Sequence, residues 1–138
     1  MDTKQSLVLK FGASEFQIPR PSVLQFNIEK LISVRDAGHG FMLRYRDQEQ
    51  QLKKSSDPSE TDQLLDQMVD SINLASRASE SLARRVRHWL EACKSESRVA
   101  VLLKWLSEQE AQQQENLLLE AFNQAATQLL GSGDTVKN

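Results

Sequence analysis

Two histidines, His39 and His88, and one cysteine, Cys93, are the side chains of this 138-residue chain best suited to nucleophilic, acid–base or metal chemistry. A Cys–His nucleophile needs its thiol within hydrogen-bond reach of the imidazole. His88 and Cys93 lie in a segment with helical periodicity, and their spacing corresponds to about 500° of rotation, which leaves them about 140° apart on the helix surface. That spacing predicts Cys93 as a small core residue and His88 as a surface residue. Three Cys and His side chains are too few for the usual four-ligand structural zinc site. The chain also contains no phosphate-cradling glycine pattern, nucleophile-elbow serine or metalloprotease motif. Asp66 and Asp70 share a helix face in a polar stretch, where solvation accounts for them. His39, between Gly38 and Gly40, is expected at an ordinary helix-ending turn. No catalytic residue, cofactor, metal or small-molecule substrate is expected.

Charge suggests one further kind of site. Arg84, Arg85 and Arg87 cluster late in a helical segment, with Arg77 and His88 nearby, as a possible patch for anions or an acidic partner. Cations late in a helix are also what its dipole favours, which points to solvated or partner-paired arginines. The alternative is a nucleic-acid-associated factor using these arginines. The balance of charge argues against it: residues 1–54 carry 9 Lys and Arg against 6 Asp and Glu, and residues 55–138 carry 8 against 13. A nucleic-acid-binding domain is usually far more basic.

The elements that would position such groups are mostly helical. Aromatics make up only 6% of the residues, and there are 5 Gly and 3 Pro, so turn-formers are scarce. A single cysteine excludes an internal disulfide and favours a reducing compartment. The start of the chain lacks a signal-peptide pattern, and no apolar run approaches the roughly 20 residues that span a bilayer. A cytoplasmic location with no membrane association is expected, in a cell or an infected host.

Residues 6–11 alternate, with Leu7, Leu9 and Phe11 on one face, and alternation resumes over Glu15–Ile18 after Gly12-Ala13-Ser14. This predicts a β-hairpin ending at Pro19. An isolated hairpin is marginal in water, so its apolar face needs a cover, which the next segment is expected to supply. That segment starts a helix near Pro21, with Ser22 and Gln25 as a capping box, and should stop at Gly38-His39-Gly40. Residues 41–54 fit a helix or a strand, and helix is favoured by their composition. Asp57-Pro58-Ser59-Glu60 then reads as the cap and first turn of a long helix. Leu65, Met68, Ile72, Ala75, Ser79, Leu82, Val86, Trp89 and Cys93 follow at steps of three and four, a heptad seam. At Ser95-Glu96-Ser97 the chain either turns into an antiparallel hairpin or continues straight as one helix, and the cap-forming serines favour the turn. A final helix should run from an apolar start at Val99–Leu106, through a polar, glutamine-rich middle, to an apolar end at Leu118–Leu129. A flexible tail, 131–138, begins at Gly131-Ser132-Gly133.

The expected fold class is therefore mainly α: an N-terminal β-hairpin, then helices, with the heptad-patterned helix in an elongated helical hairpin or coiled coil. A helix from Pro58 to Lys94 would be about 55 Å long. The expected divisions are a hairpin-plus-helix module over 1–54, a helical hairpin over 55–130 and the tail.

The amino-terminal run Leu7-x-Leu9-x-Phe11-Gly12, Phe16-x-Ile18-Pro19, Pro21-Ser22-x-x-Gln25 resembles the opening of phage tail assembly chaperones and related small virion proteins. The resemblance covers about 25 residues. It implies a non-enzymatic protein that keeps a tail-tube or tape-measure subunit soluble during virion assembly, or one that remains in the particle. Together the residues and the resemblance predict a protein that binds other proteins, or copies of itself. The expected binding residues are Leu65, Met68, Ile72, Leu82, Val86 and Trp89 of the seam, with Leu118 and Phe122 of the last helix.

Overall fold

The computed structural model describes residues 6–22 and 26–137, with side chains described as far as residue 130. The chain is mainly helical. Strands β1 (Ser6–Phe11) and β2 (Ser14–Pro19) precede helices α1 (Ile28–Lys54), α2 (Pro58–Ala92), α3 (Ser97–Ser107) and α4 (Ala111–Lys137). It folds as two compact units, one of residues 1–31 and 82–138, the other of residues 32–81. The sequence boundary at 54/55 falls on the α1–α2 loop inside the second unit.

In the first unit β1 and β2 pair antiparallel, with Leu7 opposite Ile18 and Leu9 opposite Phe16. Gly12 makes the tight connection possible because it takes φ 62°, which a Cβ would disfavour. Ser14 already belongs to β2, so the turn is one residue shorter than the sequence suggests. The apolar face is covered from the far end of the chain, not by α1. Trp105 of α3 stacks on Phe11 with ring centroids 5.1 Å apart and lies 5.4 Å from Phe16.

Helix α4 seals the outer edge of β1. In this register Val8 and Lys10 turn their backbone groups away from β2. The Val8 N–H donates to Gln128 Oε1 at 2.9 Å, and Gln128 Nε2 donates back to the Val8 carbonyl at 2.6 Å. Gln124 repeats the exchange with Lys10, at 2.7 Å in each direction. The match is geometric: two residues of strand advance about 6.8 Å, and four of helix about 6 Å. Two side-chain amides thus stand where a third strand would pair. The core beneath holds Leu7, Leu9, Ile18, Val86, Trp89, Leu102, Leu118 and Phe122, all at or below 2% exposure.

In the second unit, α1 and the first part of α2 pack on each other. α1 does not stop at Gly38-His39-Gly40 but runs through it to Lys54. Gly38 is buried, and a Cβ there would lie 3.0 Å from the Ala78 Cβ, so its missing side chain lets the helices approach. Residues 41–54 are helix, as their composition favoured. The start of α1 is later than Pro21 suggested: it begins at Ile28, where the Asn27 side chain accepts the Lys30 N–H. The proposed capping box reaches into residues 23–25, outside the described residues. α2 begins as expected, with Asp57 accepting the Ser59 N–H at 3.1 Å.

The turn expected at residues 95–97 is present. Successive three-residue backbone bonds unwind α2 there, from Cys93 to Leu90, Lys94 to Glu91 and Glu96 to Cys93. The predicted final helix is broken between Ser107 and Ala111. No Gly or Pro marks that break; glutamine side chains hold it, Gln109 Nε2 donating to the Trp105 carbonyl and Gln114 Nε2 to the Gln109 carbonyl. α4 continues helical to Lys137, through the glycines that were expected to end it.

Candidate protein-binding face

The seam on α2 divides by its surroundings. Leu82, Val86 and Trp89 are buried in the first unit, together with Leu118 and Phe122 of α4. Phe26 binds the group together, its ring 4.8 Å from Trp89 and 6.0 Å from Phe122. These five expected binding residues are therefore core, already covered by this chain. Met68 is likewise buried, in the second unit.

Leu65 and Ile72 are exposed, because the buried line of α2 in the second unit is rotated from the predicted one. It runs through Leu64, Met68, Ser71 and Ala75. This line keeps the same steps of three and four but includes a polar residue. Ser71 is wholly buried and donates its hydroxyl to Gln48 Oε1 of α1 at 2.9 Å. Its hydrogen-bonded partner removes most of the penalty for burying it.

An apolar stripe is left on the outside. Leu65 is 44% exposed, Val69 55% and Ile72 38%. Their spacing of four and three places them on one face of α2, about 100° from the buried line. The same face of α2 continues in the first unit at Ala83 and Leu90, and there it is buried. Val69 escaped the sequence reading because it lies off the predicted seam; its spacing from Leu65 was the available signal. Asp62 and Asp66 lie along one flank of the stripe and Asp70 beyond them, all exposed. From Pro58 to Ser76, α2 carries no Lys or Arg.

The predicted cationic patch is not a single surface. Arg84 and Arg85 are exposed but diverge by about 100° around the helix. Arg87 is half-buried, its Nη2 donating to Gln114 Oε1 at 3.1 Å.

The chemically capable residues belong to different segments. His39 lies on α1, exposed, and not at a loop tip. His88 is exposed on α2. Cys93 is half-buried in the turn after α2, a free thiol. Burial raises its pKa above the ordinary thiol value, and the Glu96 carboxylate adds to the effect. A thiol held neutral in this way is a poor nucleophile. Among the described residues no group of three or more His, Cys, Asp or Glu side chains is placed to hold a metal ion. No described helix is long and apolar enough to cross a membrane. One open depression is lined by Gln124, Gln128 and their α4 neighbours, and another by Gln51, Lys54, Ser55, Ser56, Asp57 and Glu60 around the α1–α2 loop. No protein-family model matches the chain, and no curated protein or solved structure is significantly similar to it.

Proposed function

We propose that this protein is a non-enzymatic binding protein, of the assembly-factor or structural-subunit kind, and that it engages a protein partner through the outer face of α2. The observation that supports this is the stripe Leu65, Val69, Ile72, three large apolar side chains in a row left in water by a helix that buries most of its other apolar residues. Scattered single apolar residues on a surface are ordinary, whereas a contiguous row flanked by charge is the pattern of an interaction site. The amino-terminal likeness to phage tail assembly chaperones agrees with an assembly role.

A photo-crosslinking residue in place of Val69, expressed in the native cell, tests the proposal. A discrete protein adduct is expected on irradiation, and none from the same residue at Gln63, which is exposed on the opposite side of α2. Equal, diffuse labelling from both positions would overturn the assignment of the face.

A further inference from the structure

A second exposed surface, of opposite charge, is also present on this chain. Helix α3 turns Val99, Leu102 and Leu106 into the core and leaves Val101 59% exposed on its opposite face. Arg98 and Lys104, each three residues from Val101, flank it and are exposed. No Asp or Glu occurs within α3. One unit therefore presents an apolar residue framed by cations, and the other an apolar stripe bordered by anions. None of Asp62, Asp66, Arg98 and Lys104 belongs to the ion pairs Lys10–Glu15 and Arg35–Asp36. Arg84 and Arg85, also exposed in the first unit, have no exposed large apolar residue within four positions of them on α2.

We infer that a second copy of this chain docks here, with α3 of one molecule laid on the α2 stripe of another. The inference rests on the protein-binding reading above and names its partner. Val101 enters the row of Leu65, Val69 and Ile72, while Arg98 and Lys104 meet the aspartates. The dimensions agree: Arg98 and Lys104 lie about 9 Å apart along their helix, and Asp62 to Asp70 extends over about 12 Å, within reach of long basic side chains. Such a junction joins two different surfaces, so it is heterologous. Each molecule keeps one free surface of each kind, and association continues until a ring closes or a filament grows. The charged rim sets orientation and makes assembly salt-sensitive.

The test is light scattering on the purified full chain across a range of concentrations. The average mass should rise with concentration and fall back as salt increases from about 0.1 M to about 1 M, which shortens the Debye length from about 10 Å to about 3 Å. The variants D62K/D66K and R98E/K104E change only exposed side chains and should keep the helical circular dichroism of the parent. Each alone should weaken association at least about tenfold, roughly 1.4 kcal/mol. An equimolar mixture of the two should recover it, because every junction again pairs opposite charges. A parent chain that stays monomeric throughout, or an R98E/K104E variant that assembles like the parent, overturns the inference. If the crosslinker at Val69 then captures a different protein, the binding face stands and self-docking alone fails; if it captures nothing, both fail.

Discussion

Ser71 and Ile72 show what decides between neighbouring residues. Both occupy positions compatible with steps of three and four, and hydrophobicity favours Ile72 for the interior. The structure buries Ser71, because Gln48 on the facing helix supplies its hydrogen-bond partner. A one-dimensional apolar pattern holds no trace of that partner, so the rotation of the helix in this region was not legible, although its existence and its starting cap at Asp57 were. Replacing Ser71 with Ala strands the buried Gln48 amide and should cost about 1–3 kcal/mol in urea unfolding. The double variant S71A/Q48M, which removes both polar partners, should recover most of that loss. Cys93 gives a prediction with a pH sign. Its neutral form is favoured by burial and by Glu96, so alkylation by iodoacetamide should be slower than for a free thiol at mildly alkaline pH. The rate should climb with pH through a midpoint above the ordinary thiol value, and E96Q should move that midpoint down. A midpoint unchanged in E96Q would remove the carboxylate from the explanation.

At the level of elements, glycine carried two opposite meanings. Gly12 marks a turn and is one; Gly38 and Gly40 suggest a turn and lie inside α1. The difference is tertiary. Close approach to Ala78 makes Gly38 useful within a helix, while Gly40 meets nothing within 4 Å. G40A should therefore stabilise the chain by up to about 1 kcal/mol through helix propensity. G38A should gain less than G40A or lose stability, since its new Cβ meets the Ala78 Cβ. Adding A78G to G38A should relieve that clash, giving a non-additive double-mutant cycle in chemical denaturation. The break before α4 was illegible for the converse reason. Residues 108–110 contain no Gly or Pro, and the bonds that hold the bend come from Gln109 and Gln114, which suit a water-facing helix equally well. The hairpin and its apolar face were legible from alternation alone, but its register and its cover were not: Ser14 pairs with Phe11 instead of turning, and Trp105, Gln124 and Gln128 are local strangers to it.

Over the whole molecule, buried apolar side chains are unevenly shared. Of the 22 among the described residues, 19 belong to the unit formed by residues 1–31 and 82–138, leaving Leu64, Met68 and Ala75 for the other. Local stability follows buried contacts, so hydrogen exchange should change partway along α2: fast over residues 60–76, slow over 82–90. Uniform protection along α2 would contradict that division. Docking of a second copy on the stripe should slow the exchange of residues 60–76 with concentration, and R98E/K104E should abolish that slowing. The glutamine pair on β1 has a consequence for synthesis. β1 leaves the ribosome before α4 and is sealed by side chains 114 and 120 positions later. At about 5–20 residues per second, the edge of β1 spends roughly 6–24 s without its amide partners while the rest of the chain is made. During that interval Val8 and Lys10 offer the unpaired backbone edge on which nascent chains from neighbouring ribosomes can pair. A message with slow codons ahead of α4 should lengthen the interval and lower the soluble yield without altering a single residue of the product.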